Sequence, residues 1–161
     1  GVNNRIVVYG PDFFPENSLG AGRGVDSPLD GVIAPDGSLY ITQAGTTASQ
    51  PRLSVLNRAF FPQRQLPMTA VPDGDGFIPQ KIALAPDGAI YITGLNARKV
   101  LRLNADFSFR DWITVSVDRR GGYVYADTEG EAAKNALIRD VQVDLQGNVY
   151  LLSEETSKVY I

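Results

Sequence analysis

Residues 84–94 read LAPDGAIYITG. Apolar residues lead into Pro86-Asp87-Gly88, and an apolar run holding a tyrosine leads out. Proline presets φ near −65° and glycine accepts the positive φ that side chains resist, so the segment predicts a strand, a tight turn and a second strand. A near copy, IAPDGSLYITQ, occupies residues 33–43, and a looser one, VDLQGNVYLLS, residues 143–153.

Superposing the turn glycines Gly37, Gly88 and Gly147 extends the match in both directions. Upstream, SPLDGVIAPD, IPQKIALAPD and LIRDVQVDLQ each read as a strand with buried-type residues at alternate positions: Gly31, Ile82 and Val141, then Ile33, Leu84 and Val143. Downstream, Tyr40, Tyr91 and Tyr150 stand at one shared position. A third strand then opens on a basic residue, at Arg52, Lys99 and Lys158, and the N-terminal RIVVYGPDF supplies a further copy from Arg5. A fourth, less regular strand is expected around 61–66 and again around 109–117. With the strands of a unit named a to d, the chain runs c d, a b c d, a b c d, a b c. Four short antiparallel strands per unit of about 40 to 50 residues mark a β-propeller blade, which buries its faces only against its neighbours.

The expected fold is therefore all-β: a single β-propeller segment of about three four-stranded antiparallel blades, in an incomplete ring. It divides into a partial blade (1–26), two blades (27–77 and 78–135) and a second partial blade (136–161). A β-sandwich reusing Pro-Asp-Gly turns is the alternative, but it gives no reason for a tyrosine and a basic residue at fixed offsets. Helical periodicity is nearly absent; TEGEAAKNAL, Thr128 to Leu137, is the one stretch that predicts a helical turn or two.

Composition excludes several functions. The chain has no cysteine and no histidine, which removes disulfides, thiolate nucleophiles, imidazole metal sites and His-based triads. A net charge of −3 with scattered basic residues argues against nucleic acid and anionic membranes. No apolar run reaches the roughly 18 to 20 residues that span a bilayer.

The unit P-x-x-[apolar]-A-x-A-P-D-G-x-[apolar]-Y-I-T followed by [RK]-[apolar]-x-x-[apolar]-N, seen at Pro28 to Asn57 and Pro79 to Asn104, resembles the NHL-type repeat and its relatives in six-bladed propellers, the sugar-lactonase group among them. WD and kelch repeats fit less well: the only tryptophan, Trp112, is in no Trp-Asp pair, and the only Gly-Gly, Gly121-Gly122, falls in a loop. The resemblance implies architecture more than activity, since that family includes ligand-binding platforms, RNA binders, lactonases and carbon–nitrogen lyases. Its lyases use histidine ligands, which these residues do not supply. It also implies, with the missing initiator Met, an extracellular or periplasmic place.

Closed propellers need about four to eight blades. The ring is thus expected to be completed by the rest of a longer propeller, the favoured alternative, or by other protein chains, since open sheet edges invite aggregation. All length variation falls in the b–c loops and d–a crossovers, which leave the same ends of the strands and point to a binding face. The residues expected to line it open strand a in each unit: Asp30, Gln80, Lys81, Arg139 and Asp140, beside Leu29, with Glu154 from a b–c loop. A lactonase would want carboxylates converging here on calcium. The mixture of Asp, Lys and Arg instead predicts paired charges, or a polar-ligand site without catalytic groups, metal or cofactor. The Asp73–Gly76 run DGDG resembles the start of a calcium loop but lacks the later ligands, and predicts a turn. The acidic run at 126–131 predicts a solvated loop, and Tyr123 and Tyr125 either interface anchors or an extra hairpin. The leading expectation is a non-enzymatic binding or scaffolding module; the alternatives are a calcium-dependent sugar-lactonase-like hydrolase and a structural subunit of a larger extracellular assembly.

Overall fold

The computed structural model describes residues 4–117, 134–153 and 158–161. Their contacts divide the chain into two compact units, Gly1–Gln80 and Lys81–Ile161. No helix among the described residues is long and apolar enough to cross a membrane.

The first unit opens with an antiparallel pair, β1 (Ile6–Tyr9) and β2 (Pro15–Leu19). A four-stranded antiparallel meander follows: β3 (Pro28–Ile33), β4 (Leu39–Gln43), β5 (Arg52–Leu56) and β6 (Pro62–Pro67), paired in that order. A second meander runs β7 (Pro79–Leu84), β8 (Ile90–Gly94), β9 (Val100–Leu103) and β10 (Phe109–Ile113). The second unit adds a short ribbon, β11 (Ser116–Val117) with β12 (Lys134–Asn135), and a three-stranded sheet of β13 (Asp140–Val143), β14 (Val149–Ser153) and β15 (Lys158–Tyr160). Strand roles a to d fall where the repeat places them. The fourth strands begin near the expected positions, but β10 stops at Ile113, and Val117 belongs to the ribbon.

The turns follow from local chemistry. In each a–b turn a glycine takes the left-handed conformation, at φ +86°, +89° and +88° for Gly37, Gly88 and Gly147. Asp36 and Asp87 accept the N–H groups of Ser38 (2.8 Å) and Ala89 (3.0 Å), which fixes the same turn in both full sheets. The c–d turns share another device: Phe13, Phe60 and Phe107 all stand at positive φ, 63°, 64° and 69°. Each donates its N–H at 2.9 Å to the carbonyl three residues back, Gly10, Asn57 and Asn104. A bulky residue there costs roughly 1–2 kcal/mol, so the ring needs a compensating contact. Phe60 has one in the core of its unit, whereas Phe13 is 85% exposed.

Packing shows why the repeat exists. In the first unit, Ile6, Val8 and Leu19 of the β1–β2 pair cover Leu39, Ile41 and Leu56, on strands b and c of the next sheet. In the second, Ala83, Ala89, Tyr91 and Val100 meet Val141, Val143, Val149, Leu151 and Tyr160 of the following sheet. Each fully buried aliphatic side chain contributes roughly 1.5–3 kcal/mol of transfer free energy. The alternation expected for strand a holds at Ile82 and Val141, which are buried, and fails at Gly31 and Ile33, which are exposed, Ile33 by 62%. Its sheet is covered by a two-stranded neighbour that reaches strands b and c but not strand a.

The helix expected at Thr128 to Leu137 is corrected where it can be seen: Lys134–Asn135 is a strand paired with Ser116–Val117. Pairing to a preceding segment satisfies its backbone groups better than one or two isolated helical turns could. Residues 118–133, with Tyr123, Tyr125 and the acidic run, lie outside the described residues.

Candidate functional site

In both four-stranded sheets the b–c loop and the crossover leave the same strand ends, and polar contacts fasten them together. The crossover after β6 is tied to the b–c loop of its own sheet: Met68 N–H donates to the Pro51 carbonyl at 3.0 Å, and Thr69 Oγ1 to Gln50 Oε1 at 2.7 Å. The β11–β12 ribbon is tied in the same way: Arg98 Nη1 donates to the Asn135 carbonyl at 2.6 Å, and Ile138 N–H to the Ala97 carbonyl at 3.3 Å.

A buried network braces the first unit's loops. Gln43, fully buried at the end of β4, donates Nε2 to the Asp26 carbonyl at 2.9 Å and accepts from Ser54 Oγ at 2.5 Å. Arg52 sends Nη1 to the Gln50 carbonyl (3.1 Å) and Nη2 to the Gly24 carbonyl (3.3 Å), with the Asp26 carboxylate 3.7 Å from Nη2. A guanidinium suits this place because its fixed fork reaches several acceptors without a second cation. The basic residue at the same repeat position in the next sheet, Lys99, instead sets its ammonium 3.8 Å from the centroid of the Trp112 ring.

The expected site residues are brought together in pairs, through their backbone. Thr42 Oγ1 reaches the carbonyls of Gln80 (2.5 Å) and Asp30 (3.3 Å). Thr93 Oγ1, one repeat later, accepts from Lys81 N–H at 3.1 Å and donates to the Arg139 carbonyl at 3.4 Å. A single threonine thus joins the start of its own strand a to the start of the next. The Asp30 carboxylate accepts the Gly31 N–H at 2.9 Å, and the Asp140 carboxylate the Val141 N–H at 2.8 Å, one local geometry in two repeats. Glu154 lies outside the described residues.

Thr42, Thr93, Gln43, Ser54 and Asp26 are the members that sequence reasoning passed over. The signal was present in the recurring YIT, where a hydroxyl sits inside an apolar strand, but a strand threonine has an ordinary propensity explanation.

The DGDG run forms the expected turn. Gly74 N–H donates to the Val71 carbonyl at 2.9 Å and Phe77 N–H to that of Gly74 at 3.1 Å, over buried Met68, Val71 and Phe77. A Cβ at Gly74 would strike the Met68 carbonyl oxygen. An open cavity of about 610 Å³ lies against this loop, lined by Thr69, Ala70, Val71, Pro72, Asp73 and Asp75. Among the described residues no three His, Cys, Asp or Glu side chains group closely enough to share a metal ion.

No family model matches the chain, and no curated relative does. Solved structures do. A streptogramin B lyase structure matches with a TM-score of 0.63 at 13% identity, over 98% of this chain and 47% of that one. Virginiamycin B lyase from Staphylococcus aureus matches with a TM-score of 0.61 at 11% identity, over the same shares. Its catalytically inactive histidine-to-alanine variant, with quinupristin, matches at 0.63 and 13%, again over 98% and 47%. The chain therefore spans about half the length of the proteins it resembles. At such identities the likeness carries the fold alone: the sheets described above are the blades of a β-propeller.

Proposed function

We propose that the chain is part of a non-enzymatic propeller platform that binds a small polar ligand at the b–c loop and crossover ends of its sheets, with further polypeptide of the same repeat completing the ring. One observation carries the reading. The long connections are pinned to one another by buried polar contacts, Arg52 and Gln43 above all, at the strand ends that hold the cavity beside Asp73 and Asp75. The opposite ends are short turns closed by their own Asp and Gly residues. Preorganised loops on a rigid sheet bind without paying to order themselves.

The test is a titration of quinupristin, and separately of glucono-δ-lactone with calcium, into isotope-labelled chain, followed by amide chemical shifts and by chemical analysis of each probe. Expected are shifts confined to residues 20–27, 44–51 and 68–78, with both probes recovered intact. Shifts centred on the turns at 34–38 and 85–89 would remove the reading. So would turnover of either probe, above all turnover lost in Asp30→Ala or Asp140→Ala.

A second reading is a lyase or hydrolase, favoured by the lyases among the structural neighbours. The neighbour made inactive by a histidine-to-alanine change, set beside a chain with no histidine, means that such chemistry would draw its histidine from polypeptide beyond these 161 residues.

A further inference from the structure

The sequence holds five Asp–Gly bonds, at 30–31, 36–37, 73–74, 75–76 and 87–88. Such a bond can rearrange without an enzyme, because glycine has no Cβ to shield its nitrogen from the carboxyl carbon of the preceding aspartate. The reaction needs an amide nitrogen that no acceptor holds and a peptide loose enough to fold back on the side chain. The fold therefore decides which of five chemically similar bonds reacts.

Four of them are locked. Gly37, Gly74 and Gly88 each donate their N–H at 2.9 Å to the carbonyl three residues back, those of Ala34, Val71 and Ala85. The carboxylates of Asp36 and Asp87 are held as well, by the N–H groups of Ser38 at 2.8 Å and Ala89 at 3.0 Å. Gly74 is buried with the Met68 carbonyl oxygen against it, so the 73–74 peptide has no room to swing. At 30–31 the Gly31 N–H donates to the Asp30 carboxylate itself at 2.9 Å. That contact offers the nitrogen an oxygen and not the carbon, and the pairing of Gly31 with Ile41 and of Val32 with Tyr40 fixes the strand there.

The 75–76 bond has none of these restraints. Among the described residues no group accepts the Gly76 N–H and none bonds the Asp75 carboxylate, and both residues are exposed. Gly76 stands at φ +80° with nothing within 4 Å of the place a Cβ would take, which leaves space for a five-membered ring. We infer that Asp75 is a self-modification site, where the chain converts its own aspartate to isoaspartate through a succinimide. The Gly76 nitrogen bonds to Asp75 Cγ of the protonated carboxyl, and the amide proton and the side-chain hydroxyl leave as water. Solvent water then adds at the Asp75 main-chain carbonyl and breaks its bond to the Gly76 nitrogen. No electrons change hands and water is the only co-reactant. The product carries the main chain through the side-chain methylene, one atom longer between Gly74 and Phe77, whose 3.1 Å hydrogen bond closes this turn. Asp75 lines the cavity beside the loop, so conversion rebuilds part of that wall. The inference needs no ligand and stands apart from the binding proposed above.

The test incubates the native chain and the chain unfolded in guanidinium chloride side by side, in mildly acidic buffer made with heavy-oxygen water. Each Asp–Gly bond is scored by peptide mapping for heavy-oxygen uptake and, by electron-transfer fragmentation, for isoaspartate. In the unfolded chain the five bonds are expected to convert at similar rates; in the native chain 75–76 is expected to lead every other by several-fold. Native conversion led by another Asp–Gly bond, five equal native rates, a lead of the same size in the unfolded chain, or a native 75–76 bond still intact when the unfolded chain has converted would each overturn the proposal.

Discussion

The hydroxyl of Thr93 accepts one backbone hydrogen bond and donates another, and both partners lie at starts of strands a. Thr93→Val keeps the shape and removes both bonds, leaving the Lys81 N–H and the Arg139 carbonyl to find water or go without. A cost of about 1–2 kcal/mol is expected, read as a lower urea midpoint with an unchanged m-value. The positive-φ phenylalanines make a paired test. Phe13 is exposed and carries backbone strain without a packing return, so Phe13→Asn is expected to stabilise by about 0.5 kcal/mol. Phe60→Asn, by contrast, removes a ring from the core of its unit and is expected to destabilise by about 2 kcal/mol. Equal effects at the two positions would contradict the packing described. At this scale the sequence showed the repeating Thr and Phe, but not their tasks. A positive φ and a hydrogen bond to a residue 46 positions away are properties of the folded chain.

At the scale of the element, two cross-linked polar groups predict how single sheets respond to pH. Asp144 is held below the usual carboxylate range, first by the Asn148 side chain, and Tyr150 is raised by its hydrogen bond to Asp144. The lowered acid contributes stability above its unfolded value near 3.8, lost as pH falls through the folded value. The raised phenol contributes below about 10, lost as pH rises through its folded value. Tyr150→Phe is therefore expected to flatten the alkaline limb of a urea-midpoint profile and leave most of the acid limb in place. The same logic applies between β9 and β10, where the Arg102 guanidinium grips both carboxylate oxygens of Asp111 at 2.8 and 2.5 Å and lowers its pKa. Both side chains are partly exposed, so Asp111→Asn is expected to cost no more than about 1 kcal/mol near neutral pH, a difference that vanishes below the folded pKa of the acid.

At the scale of the whole chain, the −3 charge predicts that the protein passes unretained through heparin or DNA columns at low salt; retention would show a basic surface that composition hides. Strand order, turn positions and the repeat were legible without coordinates, because hydrophobic alternation and Pro-Asp-Gly chemistry are local and each blade restates them. The reach of Gln43 and Arg52 to the Asp26 and Gly24 carbonyls and the threonine ties were not, since each joins segments whose contact depends on the path of a crossover. The helix expected at the end of the last long crossover failed for the same reason: at Lys134–Asn135 an antiparallel partner from earlier in the chain, Ser116–Val117, outweighs weak helical propensity. Sequence alone thus determined that this is a chain of repeated antiparallel four-stranded units, because the period of side-chain alternation and the residues that reverse a strand act within a few positions. Only the tertiary structure decided which polar groups meet at the loop ends and which faces stay open, because burial and hydrogen bonding there depend on neighbouring sheets that no local pattern encodes.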